Sequence, residues 1–490
     1  MTRPVLLTEN SRSVLVSSGG ENVNPRSLPQ FVGAFVSTFS AVCLGMVFTW
    51  TSPALPVMES EVGISKSQGA WIGSLVTLGA FVGAIPAGPL AQVFGRKRFL
   101  QMIIIPLFFS WIFIAYFYDL IFIVYLARFV AGFAGGAISV TAPMYVAEIA
   151  HISIRGTLGT FFQVQITIGI LLAYLLGGVI SDLRTLSLIS SVFPLVFLLS
   201  FSFIPESPVY LSSKNQMDEA NDSLVWFRGD EYDVEDELVK IIDDIEEAKK
   251  NESKLSDFFN CKATFKGLII SFGLMIFQQL SGVNAVLFYA NDIFKRSGGS
   301  ISPGASSILV GVVQVVATLC STLLIDKAGR KILLILSDFV MCLALVALGL
   351  FFYFDETHDL SDYSFIPLIS IASFIVFFSI GLGPIPWMIM GEIFLPKVKG
   401  TASSMSASLN WFLAFMVTNQ FSNLVDCFGI GITFLVFGVI CGVGTVFITI
   451  LVPETKGKSI EEVSDLLLGL KRAPVGGLSN GNCDKMTTVI

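Results

Sequence analysis

Twelve stretches of about twenty apolar residues, separated by short polar loops, decide most of what this chain can become; they lie near 29–53, 70–92, 99–118, 121–147, 157–180, 186–204, 264–289, 303–325, 333–354, 364–390, 401–424 and 428–452. A helix rises about 1.5 Å per residue, so about twenty residues cross a hydrocarbon core, and a helix satisfies its own backbone groups there. The spacing predicts an all-α membrane protein with twelve transmembrane helices. Only 14% of the 490 residues are charged, while 53% are hydrophobic. So few charges cannot cover a soluble surface without wide apolar patches.

Lys and Arg in the short loops set the expected orientation. Arg96, Lys97, Arg98, Arg155, Lys327, Arg330, Lys331, Lys397 and Lys399 fall on one side, while Glu59, Glu61, Asp355, Glu356, Asp359 and Asp362 fall on the other. The basic side is expected to be cytosolic, with both termini. The divisions that follow are a cytosolic tail over 1–28, a six-helix bundle over 29–208, a cytosolic helical loop over 209–262, a second bundle over 263–455 and a cytosolic tail over 456–490. In the loop, Val234, Leu238, Ile241, Ile242 and Ile245 recur at helical spacing among acids and lysines. The first 30 residues lack an apolar run with a cleavage site, so the first span is expected to act as its own insertion signal. With no retention signal evident, the cell membrane is the expected address.

Several function classes are excluded. The seven Cys form no CxxC spacing and only two His are present, so no metal site, disulfide framework or cofactor is expected. No nucleophile–base set points to an enzyme, and no catalytic residue is assigned. No basic patch interleaved with aromatics points to nucleic acid. The expected partners are the lipid bilayer and a small molecule; protein partners are left open.

The chain repeats itself. Gly95-Arg96-Lys97 matches Gly329-Arg330-Lys331, and Ala147-Glu148-Ile149 with Arg155-Gly156-Thr157 matches Gly391-Glu392-Ile393 with Lys399-Gly400-Thr401. Pro205-Glu206-Ser207 matches Pro453-Glu454-Thr455. The order and helix ends correspond, so the chain is read as two pseudo-symmetric six-helix bundles, an arrangement suited to alternating access with a site between the halves. Arg96, Glu148, Arg155, Glu206, Arg330, Glu392, Lys399 and Glu454 are expected to pair across helix ends and hold the two halves together on the basic side, as a gate. One exposed pair contributes about 0–1 kcal/mol, so several are needed to bias two states.

These motifs, with Pro143-Met-Tyr-Val-Ala-Glu148, Pro205-Glu-Ser-Pro208, Gln278-Gln-Leu-Ser-Gly-Val-Asn284, Gly383-Pro-Ile-Pro-Trp387 and Pro453-Glu-Thr-Lys-Gly457, resemble the sugar porter family of the major facilitator superfamily over about residues 30–465. Met390-Gly-Glu-Ile-Phe394 with Val398-Lys-Gly400 looks like its insect facilitated trehalose transporter branch and hexose-carrying relatives. The resemblance implies the major facilitator fold and sugar transport.

A polyol needs neutral donors and acceptors in a cavity and an apolar face to lie on. Neutral amides in a membrane core are costly unless they find partners or line water. Gln163 and Gln165 lie in the fifth span, Gln278, Gln279 and Asn284 in the seventh, Gln314 in the eighth and Asn410 in the eleventh. On an ideal helix Gln278 and Asn284 point about 240° apart, so one cavity uses both only if the seventh span bends or unwinds near Ser281-Gly282. Gly381, Gly383, Pro384 and Pro386 are expected to break the tenth span just before Trp387. Trp387 and Trp411 offer ring faces. The resemblance implies sugar contacts for Gln163, Gln278, Gln279, Asn284, Gln314 and Trp387, with Trp411 lining the inner part and Phe288 and Tyr289 forming an outer aromatic gate. Gln165 is outside that pattern and is read as a helix–helix contact. The chain departs from the pattern at Ala414, where many glucose carriers have a polar residue, at Gln92, where the first-half motif usually has Asp, and at Lys399, which loses the bidentate fork of Arg.

A proton symporter needs an intramembrane carboxylate that pairs and releases. Phe31 to Pro53 contains none; proton-coupled sugar porters carry an Asp there, facing the arginine equivalent to Arg128. Asp338 lies near the basic end of the ninth span and is expected to snorkel or pack rather than carry protons. A facilitative uniporter for trehalose or a hexose such as glucose is the leading expectation. A proton–sugar symporter and a non-transporting membrane sugar sensor remain as alternatives.

Overall fold

The computed structural model describes residues 25–250, 262–296 and 302–468, apart from 356, 359, 395 and 459. The two tails expected at either end therefore lie largely outside the described residues. All described regular structure is helical. Among the described residues, eleven helices are long and apolar enough to cross a membrane. They are Leu28–Glu61, Lys66–Phe94, Arg96–Phe117, Ile121–Ile149, Arg155–Val179, Leu183–Ser202, Lys262–Phe288, Pro303–Ile325, Arg330–Asp355, Phe365–Ile393 and Ile430–Leu451. The remaining span, the eleventh in chain order, is the 33-residue helix Pro396–Phe428. Its first turns read Thr-Ala-Ser-Ser-Met-Ser-Ala-Ser-Leu-Asn from Thr401, and these small polar residues lower its hydropathy.

Backbones approach closely where glycines face each other. A Cβ on Gly79 would lie 2.2 Å from the Phe129 carbonyl oxygen, and one on Gly132 would lie 2.1 Å from that of Val76. The second and fourth spans thus touch backbone to backbone, as small residues permit where no hydrophobic force operates between helices in lipid. Gly45 and Gly169 do the same for the first and fifth spans, at 2.1 Å from the Ile166 and Val42 carbonyls. Large apolar side chains such as Phe122, Val179 and Ile450 point outward and are more than two-thirds exposed, as a lipid-facing surface requires.

The described residues of the charged loop after the sixth span include the helices Pro208–Ser213, Met217–Arg228 and Glu235–Lys250. Arg228, 1% exposed, donates to the Ile149 carbonyl at 2.8 Å and to Glu237 at 2.6 Å, which fastens this element to the end of the fourth span. Leu238 packs on Tyr210, Leu211 and Ala220. Leu238 of the apolar stripe read from the sequence thus packs on the loop's first two helices.

Both expected breaks are present. The seventh span stops at Leu280, turns through Gly282 in the left-handed conformation (φ 81°), and resumes as Val283–Phe288. The tenth consists of Phe365–Ile380 and Ile385–Ile393 with a turn between.

Candidate functional site: an amide network at two broken helices

The break at Gly282 lets amides six residues apart join one network. Gln278 Nε2 donates to the carbonyls of Leu382 (2.7 Å) and Gly383 (2.9 Å), and its Oε1 accepts from Asn410 Nδ2 at 2.6 Å. Gln279 Nε2 donates to Asn410 Oδ1 at 3.0 Å, and its Oε1 accepts from Asn284 Nδ2 at 2.6 Å. The chain of bonds runs from the seventh span through the eleventh to the break in the tenth. Gln278, Gln279 and Asn410 are at most 5% exposed. Asn410 is the hub, joining both glutamines across two elements. The sequence flagged it as a polar group in the eleventh span but did not place it among the site residues.

Hydrogen-bond capacity sorts the candidates. An amide NH₂ has two donors and its oxygen two acceptor sites. Both Gln278 donors are committed to backbone carbonyls, whereas Gln279 keeps one N–H and Asn284 one N–H and its oxygen. Gln314 Oε1 and Trp411 Nε1 are buried and have no hydrogen-bond partner. Buried polar atoms are normally satisfied, and an orphan costs about 1–3 kcal/mol. A polar ligand would satisfy either atom at no loss of internal bonds. Trp411 stacks obliquely on Phe48, with ring centroids 5.5 Å apart. Trp387, half-buried, opens the second segment of the tenth span and packs against the core. Gln163 is half-buried on the fifth span and stands outside the bonded network. Gln165 donates to the Phe35 carbonyl and to Thr38, so it ties the fifth span to the first, as read.

The two halves meet on the side opposite the basic loops. Thr51 donates to the Phe288 carbonyl at 3.4 Å, Tyr174 to that of Leu287 at 2.8 Å, and Asn291 Nδ2 to that of Ser52 at 3.2 Å. Lys66 pairs with Asp426 at 2.9 Å. Phe288 is fully buried and its ring lies 6.1 Å from Phe48. Tyr289 reaches the Thr418 carbonyl at 3.4 Å and packs on Phe421. Phe48 was missed from sequence, because one Phe among 44 carries no distinguishing mark.

The repeated motifs do something other than the sequence led us to expect. Arg96 pairs with Glu148 at 2.9 Å, and Arg330 with Glu392 at 3.1 Å. Each pair joins helices of the same half, so these are not bonds between the halves. Glu148 also accepts from Ser207, and Glu392 from Thr455. Glu206 takes the Lys97 N–H on both oxygens, at 2.9 and 3.1 Å, while Glu454 takes the N–H groups of Arg330 (3.0 Å) and Lys331 (3.1 Å). The physical reason is the glycine between the helices. Gly95 and Gly329 have φ of 96° and 89°, and a Cβ there would lie 2.5 and 2.7 Å from the Glu206 and Glu454 carboxylates. The turn is so tight that the carboxylate caps the start of the next helix, where unpaired N–H groups and the helix dipole favour an anion. Burial pushes the Glu454 carboxyl up, but the N–H groups of Lys456, Arg330, Lys331 and Thr455 outweigh it and hold the group below its ordinary value. Arg155 is exposed, and its described bond goes to the Ala150 carbonyl at 3.5 Å. The Lys399 side chain lies outside the described residues.

Arg128 is fully buried. It donates to the carbonyls of Ile72 (3.1 Å) and Val47 (2.7 Å) and lies 5.2 Å over the Trp50 ring. The first helix runs on to Glu61, past the end read from sequence, so it does carry acids at its far end; Glu59 and Glu61 are exposed there. Asp338 is fully buried and does not snorkel. A Cβ on Gly444 would lie 2.3 Å from its Oδ2, which marks a packing contact between the ninth and twelfth spans.

Comparison with known proteins decides the family. The model of the family described as "Sugar (and other) transporter" matches residues 27–467. The chain belongs to this family of sugar transporters. Among curated relatives, the facilitated trehalose transporter Tret1 of Bombyx mori is 37% identical over 436 residues, covering 89% of this chain and 86% of that one. The Culex quinquefasciatus Tret1 is 37% identical over 459 residues, covering 92% and 88%. A Drosophila simulans Tret1-2 homolog is 38% identical, covering 92% and 93%. The fold matches the xylose transporter XylE of E. coli with a TM-score of 0.75 at 23% identity, over 88% of this chain and 100% of that one. The architecture is therefore the major facilitator fold, and the chain is a multi-pass membrane sugar transporter.

Proposed function

We propose that this sugar transporter is a facilitative uniporter carrying trehalose or a hexose such as glucose, by alternating access, through the chamber around Gln278, Gln279, Asn284, Gln314, Trp387, Trp411 and Gln163. The observation that carries the reading is the uncharged amide network where two broken helices meet. Neutral amides with spare N–H and oxygen capacity match sugar hydroxyls, which both donate and accept, and the two indoles supply apolar faces. Relatives named facilitated trehalose transporters support the substrate class and the absence of coupling.

Uniport is further supported at Arg128. Its bonds go to backbone carbonyls and an indole ring, none of which titrates. A proton cannot be taken up or released by such partners, so the charge is fixed through the cycle. Phe288 and Tyr289 act as the outer gate, and the paired carboxylates on the basic side act as clamps that keep each half rigid while the halves rock. That side is cytosolic by its excess of Lys and Arg, with both termini there, and the protein resides in the cell membrane. It carries no catalytic activity and needs no cofactor. Uptake of labelled trehalose, glucose and fructose into vesicles holding the purified chain tests the proposal. Saturable flux of trehalose or glucose is expected, and no flux of any of the three, with the protein folded, would overturn it.

A further inference from the structure

The break in the tenth span raises an accounting question. In an intact helix the N–H of residue i+4 satisfies the carbonyl of residue i. Residues 384 and 386 are prolines and have no N–H, so the carbonyls of Ile380 and Leu382 lose their helical donors. The turn adds a third orphan. Gly383 N–H takes the Phe378 carbonyl at 2.7 Å, which is the normal partner of Leu382 N–H. The same shift takes the usual donor from the Ser379 carbonyl; the other three freed groups are the Ile380 and Leu382 carbonyls and the Leu382 N–H, inside a membrane protein where each needs a partner.

Three side chains from three neighbouring spans meet them. Ser321 of the eighth span donates to the Ile380 carbonyl at 3.0 Å. Gln278 of the seventh donates to the Leu382 carbonyl at 2.7 Å. Ser337 of the ninth accepts from Leu382 N–H at 3.0 Å and donates to the Phe377 carbonyl at 2.7 Å, so one hydroxyl holds both sides of the turn. Ser321 and Ser337 are at most 1% exposed. The ninth span presses so close that a Cβ on Gly381 would lie 2.4 Å from the Ser337 Cβ.

We propose that Ser337 and Ser321 are positioning residues for transport: with Gln278 they clasp the backbone freed at Pro384 and Pro386 and set where Trp387 and the second half of the tenth span stand relative to the chamber. Gln278 is the one member of the clasp that also belongs to the amide network. A hydroxyl that competes for its N–H groups loosens the Leu382 and Gly383 carbonyls, so occupancy of the chamber reaches the break directly, while the two serines hold the other side fixed. The proposal rests on the chain being a sugar carrier, which wild-type flux in the same vesicles tests separately.

The test compares Ser337→Ala and Ser337→Thr with wild type, using whichever of trehalose and glucose the wild type carries. Affinity is read by tryptophan fluorescence of the purified protein, and maximal flux is read in vesicles. For Ser337→Ala, maximal flux is expected to fall about tenfold, the range for orphaning a buried backbone group, while Kd stays within about twofold of wild type. Ser337→Thr, which keeps the hydroxyl, is expected to recover flux. Unchanged flux in Ser337→Ala, or Kd rising as flux falls, overturns the assignment. Should the Ser337 variants fail to fold, Ser321→Ala is read by the same two measurements and the same two outcomes.

Discussion

At the scale of single residues, the side chains of the proposed sugar site separate into groups with spare hydrogen-bonding capacity and groups already spent. Gln314 Oε1 has no internal partner, so Gln314→Ala breaks no bond of that oxygen. Its KM for the transported sugar is expected to rise about two- to tenfold, the worth of one neutral hydrogen bond. An unchanged KM would place Gln314 outside the sugar site. Gln279→Ala differs, because it also strands Asn284 and Asn410. Uptake in cells is expected to fall about tenfold or more at equal surface expression, and retained wild-type affinity in both Gln279→Ala and Trp387→Ala discredits the site. The amides were legible in the sequence because Gln and Asn are out of place in apolar runs. The serines at the break were not, since Ser is common in membrane helices and its bonds depend on which neighbour faces it. Asn410 was visible as a polar residue, but its position as hub follows only from two helices being packed together.

At the scale of elements, sequence and structure agree where backbone chemistry is decisive. Gly and Pro named both breaks, since neither can sit in a regular helix without consequence. The duplicated motifs also named the right residues, but charge spacing alone does not say which half a partner comes from. With the halves joined on the acidic side, the described pairs of the basic side lie within each half. The deciding factor is a glycine turn too tight for anything but a carboxylate reaching back to cap it. Gly329→Ala would force a side chain into a backbone conformation that only Gly adopts freely, and its Cβ would meet Glu454 at 2.7 Å. A loss of about 1–3 kcal/mol is expected, seen as a lower melting temperature, and an unchanged melting temperature contradicts the clamp. Glu454 gives the same element a pH signature. Its carboxyl lies below the ordinary 4.5 when folded, so its contribution is present above that value and is lost as pH falls through the folded value. The stability gap between wild type and Glu454→Gln is expected to be widest at neutral pH and to close as pH falls through the folded value. A gap that widens on acidification contradicts the assignment.

At the scale of the whole molecule, the helices of the first six spans meet those of the last six on the acidic side. Asn291 and Ser52 face each other across the halves. A Ser52→Cys, Asn291→Cys pair is expected to stop uptake under oxidant and recover it under reductant, with wild type unaffected; uptake that persists with the bridge formed contradicts alternating access. Sugar carriage through an uncharged site with no ion to drive it is read from the internal sugar concentration reached in vesicles holding the purified chain, with and without an imposed pH gradient. That concentration is expected to level off at the external value in both cases, for wild type and Asp338→Asn alike. Accumulation above the external concentration that collapses with the pH gradient would contradict it.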